Sequence, residues 1–182
     1  MKFSPSFRKD PTGRIVTQNF RERCIENGYM WRILLPKVTI NSTTSNGISF
    51  TTPPASAGHC YLMGISFSKV TGGLSFQFRE GDSLTAPAAG TARNLNRAYS
   101  STPDANCPLK SVSISFTNSA GGLCFLETTL GGTGQGTRQP GPMTPDVNLP
   151  LAPDTLYSLL ITADTANTPT TAGIDVAVIP AS

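Results

Sequence analysis

LSFQFREGDSLTAPAAGTARNLNR, residues 74–97, is the stretch whose reading decides the fold. Leu74, Phe76 and Phe78 alternate with Ser75, Gln77 and Arg79. One face of the segment is therefore apolar and the other polar, the two-residue period of a half-buried strand. The alternation stops at Glu80-Gly81-Asp82, where glycine supplies a positive φ that other residues resist. Small residues follow over 85–92, among them Pro87 and Gly90, and then comes Asn94-Leu95-Asn96-Arg97. That segment sets one apolar residue among two amides and a guanidinium, groups suited to bonding backbone across loops.

The same alternation recurs on both sides. Residues 29–35 and 38–40 predict a strand interrupted at Pro36, hence an edge or a bulge. Asn46-Gly47 predicts a hairpin-type turn between Ile40 and a strand over 48–52. Residues 58–70 form the longest strand candidate, with Tyr61, Met63, Ile65 and Phe67 on one face. Thr71-Gly72-Gly73 would turn it back as a hairpin with the strand beginning at Leu74. Over 110–117, Val112, Ile114 and Phe116 alternate with serines, and a turn at 118–122 leads to a second predicted hairpin over 123–130. Strands over 156–162 and 174–179, the latter with Ile174, Val176 and Val178 on one face, complete the set. About eight or nine short strands with no helical period predict an all-β chain, a β-sandwich or jelly roll.

Composition agrees. With 17 Gly and 15 Pro against 14% charged residues, the chain has turns in plenty, and 182 residues suffice for one substantial core. The expected organisation is a basic, extended N-terminal arm over residues 1–28 and a single β domain over 29–182. There is no apolar run of about 18 residues, so no membrane span is expected. The first residues, MKFSPSFRKDPTGR, lack the apolar core of a secretory signal, which predicts synthesis in the cytosol.

Charge is concentrated at one end. The first 23 residues hold Lys2, Arg8, Lys9, Arg14, Arg21 and Arg23 against Asp10 and Glu22, a net of +4. The remaining eight basic and nine acidic residues net −1. The arm also carries Phe3, Phe7 and Phe20, while Pro5 and Pro11 discourage a helix. A basic, extended segment with aromatic anchors suits docking on an acidic surface, attraction at range being followed by local burial. The competing readings are a loose terminus and a nucleic-acid tail, and the second lacks the dense Lys/Arg runs that phosphate tracking uses. The residues expected to touch a partner are Phe3, Phe7, Arg8, Lys9, Arg14, Phe20, Arg21 and Arg23.

Catalytic sets are hard to assemble. Cys24, Cys60, Cys107 and Cys124 are widely spaced, and a reducing compartment predicts free thiols. His59 is the single histidine, and on a strand it points away from Cys60 beside it, so neither a zinc site nor a Cys-His pair is expected. The Gly-rich stretch over 131–145 is followed by prolines rather than a helix, so it predicts a long surface loop and no nucleotide site. No enzyme activity, cofactor or metal is expected.

The order of these pieces is distinctive. A strand ending in Glu-Gly (76–81), a Gly-Thr-Ala segment with Asn-x-Asn-Arg (90–97), a Gly-rich loop (131–141) and Leu-x-Pro-x-Thr-x-Tyr (151–157) together resemble small virion structural proteins of tailed bacteriophages. These are head cement, decoration or head-fibre-related β proteins, and the resemblance spans roughly residues 60–180. It implies a protein of the outer capsid surface that binds the major capsid protein and neighbouring copies of itself, as dimer or trimer, and carries no catalytic residues. The alternative it leaves is a carbohydrate- or receptor-binding module of a head fibre or tail. For that role Trp31, Tyr29, Tyr99 and Tyr157 are the aromatic candidates.

An all-β chain should give a circular dichroism spectrum with well under about a quarter helix; more would overturn the fold class.

Overall fold

The computed structural model describes residues 7–9, 15–17, 19–40, 46–69, 73–96, 107–116, 118–130, 141–142, 148–163 and 168–181. Strands β1 (Phe7–Lys9) and β2 (Ile15–Thr17) precede a helix, α1 (Phe20–Glu26). Then come β3 (Met30–Ile40), β4 (Asn46–Thr51), β5 (His59–Lys69), β6 (Leu74–Glu80), β7 (Ser83–Thr85) and β8 (Ala92–Asn94). The second half adds β9 (Ser111–Ile114), β10 (Asn118–Ala120), β11 (Leu123–Leu130), β12 (Gly141–Pro142), β13 (Leu149–Leu151), β14 (Leu156–Ala163) and β15 (Thr168–Ile179).

Two antiparallel sheets form a sandwich. The five-stranded sheet runs β11-β6-β14-β4-β9, and the six-stranded sheet runs β12-β5-β15-β3-β8 with β13 also on β5. Their inner faces share one core. Phe67 of β5 meets Phe76 of β6 at 4.3 Å between ring centroids, which ties the two sheets directly. Deeper in, Phe78 and Tyr157 lie nearly parallel (5.5 Å, 6°) with Phe50 against both rings. Offset stacking of this kind adds to simple area burial. The Tyr157 hydroxyl accepts from the Ala152 amide (2.9 Å) and donates to Glu80 (3.3 Å), so the ring brings no unsatisfied polar group inside. Burial pushes its pKa upward.

The strands fall where alternation puts them, but their partners differ from the expected hairpins. β3 and β4 belong to different sheets, as do β5 and β6, so the turns at 46–47 and 71–73 do not close hairpins. β10 pairs with β7 and β11 with β6, so the predicted hairpin over 110–130 is also absent. The physical reason is that an alternating strand needs one buried face, and a strand of either sheet supplies it equally well. Asn46-Gly47 lies inside β4. Glycine is required there for close approach, since a Cβ on Gly47 would stand 2.0 Å from the Leu159 carbonyl oxygen and 2.6 Å from the Phe116 ring.

Pro36 behaves as its chemistry demands. The β3–β15 register shifts between the Leu35–Ala172 and Val38–Thr170 pairs, so Pro36 and Lys37 sit in a bulge that spares the missing N–H. A second bulge lies in β5, where Asp175 pairs with Gly64 but Val176 with Leu62. It switches the phase of the strand. Ile65 and Phe67 face the main core, as do Cys60 and Leu62, whereas Met63 and Tyr61 face outward beneath α1. The expected single face of Tyr61, Met63, Ile65 and Phe67 is therefore split.

Gly47→Ala should lower stability by about 1–3 kcal/mol, because the clashing Leu159 atom is backbone and cannot swing away. Urea melts of the variant would show an earlier midpoint with an unchanged slope; an unchanged midpoint would refute the close approach.

Candidate functional site

The residues expected to meet a partner divide into two groups. Phe7, Arg8 and Lys9 form β1, whose backbone pairs with β2 in the register Phe7–Thr17, Arg8–Val16 and Lys9–Ile15. Phe3 and Arg14 lie outside the described residues. Phe20, Arg21 and Arg23 are not extended at all but belong to α1. This corrects the boundary of the arm, because residues 19–28 are folded onto the sandwich. Pro5 and Pro11, which argued against a helix, lie too far upstream to affect it.

Helix α1 is short and held at both ends. Asn19 caps it: the Glu22 amide donates to Asn19 Oδ1 (2.8 Å), and the Asn19 amide donates back to Glu22 Oε2 (3.2 Å). At the other end Gly28 adopts φ +72°, its amide bonds the Ile25 carbonyl (3.0 Å), and the Tyr29 amide bonds the Cys24 carbonyl (2.8 Å). The Asn94-Leu95-Asn96 segment then clasps this end. Asn94 Nδ2 donates to the Gly28 carbonyl (2.6 Å), and Asn96 Nδ2 to the Glu26 carbonyl (2.7 Å). The amides thus bond backbone across the fold, as their sequence context suggested. Beneath the helix, Cys24 packs with Met30, Met63 and Ala177 in a second core, with Phe20 edge-on to Tyr61 (5.8 Å, 77°).

A charged cluster borders the helix on the outer face of the six-stranded sheet. Asp175 of β15 is buried there and holds two arginines. Arg32 donates through Nε to Oδ1 (2.6 Å) and through Nη2 to Oδ2 (2.8 Å), the two-pronged geometry of a strong pair. Arg21 of α1 reaches the same carboxylate and also donates to the Met63 carbonyl (3.2 Å). The hydrogen bond to Asp175 leads the causes that raise the Arg32 pKa. Arg93 of β8 lies directly opposite Arg32, and since Ala92 and Ile33 face inward as the adjacent pair, Arg93 faces outward. One step along β3, Leu34 is 52% exposed over Gly173.

Other polar groups serve the fold. Asp82 is buried after the Gly81 turn (φ +71°), accepts from Ser158 Oγ, and lies 3.6 Å from Arg79 Nε. This pins the β6–β7 turn to β14. His59 is exposed while Cys60 is buried, the divergence expected of neighbours on a strand. Trp31 and Tyr157 are core residues and Tyr29 is half-buried beside α1, so these three present no exposed aromatic face; Tyr99 lies outside the described residues. Of the 131–145 loop, only Gly141 and Pro142 are described, paired with Phe67 and Ser66. Among the described residues no group of three or more His, Cys, Asp or Glu could hold a metal, and no helix is long and apolar enough to cross a membrane.

The sequence reading missed Arg32, Leu34, Arg93 and Asp175. A signal was present in Asp175, a carboxylate set between Ile174 and Val176 in an otherwise apolar strand. Compared with known proteins, the chain matches no family model, no curated protein and no solved structure.

All four cysteines are free thiols, Cys24 and Cys60 buried, Cys107 half-buried and Cys124 exposed. Burial pushes the Cys60 thiol up to about 12. Iodoacetamide at mildly alkaline pH should therefore modify Cys124 first and spare Cys60 in the folded protein. The folded thiol holds its proton more tightly than the unfolded one. Its contribution to stability is complete below about pH 8.5, the value for a solvated thiol, and is lost as pH rises through about 12. Mass spectrometry showing Cys60 labelled as fast as Cys124 would refute this burial.

Proposed function

We propose that this chain is a non-enzymatic virion structural protein, a capsid cement or decoration protein that binds the phage head and bridges neighbouring capsid subunits. The observation that carries the reading is the independence of its N-terminal strands. β1 and β2 bond each other and add no strand to either sheet of the sandwich. A basic segment with aromatic residues that contributes nothing to the ladder of its own domain is suited to another surface. Order in such a segment comes at a cost in chain entropy, which contacts with a partner would offset.

The partner is the major capsid protein together with adjacent copies of the chain. Phe3 and Phe7 would fill pockets on it, and Arg8, Lys9 and Arg14 would face acidic groups. Phe20 and Arg21 are withdrawn from that role, because Tyr61 and Asp175 engage them within the chain, whereas Arg23, on α1, stays a candidate contact. Many modest contacts repeated over a shell sum to strong attachment through avidity, and bridged seams resist outward pressure.

Removal of residues 1–18 tests this reading. The cut leaves the Asn19 cap and α1 intact, so the melting temperature should stay that of the full chain. Occupancy on particles lacking the native protein should fall at least tenfold, and raised salt should weaken the intact protein by screening. A cut at residue 27 should also lower the melting temperature, because it uncovers Met30, Met63 and Ala177. Full occupancy by the 19–182 chain at matched concentration would show that the arm plays no part in attachment.

A further inference from the structure

The outer face of the six-stranded sheet beside α1 carries more positive charge than its own carboxylate can satisfy. Asp175, Arg32 and Arg93 lie side by side across β15, β3 and β8, and Arg21 reaches Asp175 from α1. Both carboxylate oxygens are already occupied, Oδ1 by Arg32 and Oδ2 by Arg32 and Arg21. Arg93 is exposed, and its guanidinium has no hydrogen bond or ion pair among the described residues. It faces Arg32 across the β3–β8 ladder, and like charges directly opposite each other on a sheet repel. A folded chain that keeps two arginines in this register has a surface with a defined deficit of negative charge.

An apolar contact lies beside that charge. Leu34 follows Arg32 by two residues on the same face, about 7 Å along the strand. At 52% exposure it is one of three exposed large hydrophobics among the described residues. Its surroundings are low: Gly173 and Ser66 are the neighbouring positions, and Leu34 Cδ2 lies 3.0 Å from where a Gly173 Cβ would be. Leu34 therefore stands above a shallow platform bounded on one side by the arginine row.

We propose that this face is a docking surface for an extended, carboxylate-bearing segment of the shell protein. A partner's Asp or Glu pairs with Arg93, and with the part of Arg32 that Asp175 leaves open, while an apolar side chain two positions away covers Leu34. The assignment rests on the reading of the chain as a shell-binding protein and adds the surface and the chemistry of its partner. The spacing favours protein over nucleic acid. Phosphates repeat and call for a track of cations, whereas here a single arginine row is flanked by Leu34, Ser66 and Gly173.

The test uses the full chain with Arg93→Glu, Arg93→Lys and Leu34→Ser variants, binding to particles that lack the native protein. Arg93→Lys should stay within about twofold of the unmodified chain, because the charge is kept and the pairing is exposed. Arg93→Glu should lose at least tenfold and Leu34→Ser several-fold. The melting temperature of Arg93→Glu should equal or exceed that of the unmodified chain, since glutamate opposite Arg32 replaces repulsion with attraction. Loss of binding with a raised or unchanged melting temperature supports a docking role; loss of both would mark Arg93 as structural and overturn it. Undiminished binding by Arg93→Glu and Leu34→Ser, with the 19–182 chain still defective, would overturn this surface while the shell reading stands. Absence of the unmodified chain from particles would overturn both. Binding to labelled oligothymidylate at about 0.15 M salt that Arg93→Glu abolishes would reassign the surface to phosphate. A dimer seen by sedimentation that Arg93→Glu dissociates would reassign it to a second copy.

Discussion

The constraint on which much of this structure depends is that β15 is buried on both faces. Ile174, Val176 and Val178 point into the sandwich, as any core strand would. On the opposite side Ala177 is buried with Met30 and Met63, and Asp175 is buried two residues earlier. A strand in an open sandwich ordinarily has one face in water. Here the second face needs its own cover, and a seven-residue helix supplies it. An isolated helix that short is unstable in water, so α1 relies on what fixes it: the Asn19 capping box, the Gly28 termination, the Asn94 and Asn96 clasp, and the apolar contacts beneath. Asp175 follows from the same constraint. A buried carboxylate is costly unless paired, and Arg32 from the neighbouring strand and Arg21 from the helix provide the pairing.

The strands were legible because alternation is a local property. Leu74, Phe76 and Phe78 face the core, and so do Leu159 and Ile161, from nothing more than their spacing. The pairings were not legible, because alternation carries no information about which sheet a strand joins. Each strand candidate beside a turn reads equally well as half of a hairpin or as one side of a crossing between sheets, and here β3 and β4, like β5 and β6, lie in different sheets. The phase of β5 was hidden for a related reason. A bulge adds one residue and inverts every face beyond it, and Met63-Gly64 shows no Pro or paired glycine to announce one.

The helix was within reach of the sequence. Asn19 followed three residues later by Glu22, with Gly28 just past the end, is a start-and-stop signature, but seven residues are too few for helical periodicity to rise above the basic, proline-containing arm around them. Asn94 and Asn96 were legible in kind, as amides that bond backbone, though not in target. Arg21 was misplaced because its positive charge was read with its neighbours in sequence, when the decisive neighbour, Asp175, is far along the chain. Long-range ion pairs of this sort leave a trace only at the buried end, where a lone carboxylate interrupts an apolar strand.

The edges of the sandwich complete the physical account. At β9 the chain covers its own edge: the Ala88 amide bonds the Ser115 carbonyl (3.0 Å), the Ile114 amide bonds the Ala88 carbonyl (2.9 Å), and the Gly90 amide bonds the Val112 carbonyl (2.9 Å). On the six-stranded sheet, β8 is three residues long, and β5 is bordered by the separate short strands β12 and β13. Short or covered edges give an incoming strand little to extend. β11 is different. It is eight residues long, ends the five-stranded sheet, and exposes Leu123 (67%) and Phe125 (47%). An edge strand of that length with exposed apolar residues at its start invites pairing with another chain. The bulge between Cys124 and Leu126 interrupts it at Phe125, which breaks the run of evenly spaced donors and acceptors that a foreign strand would need. The exposed carboxylate of Glu127 on the same strand adds a charge, so shape and charge together make this edge a poor template for strand addition.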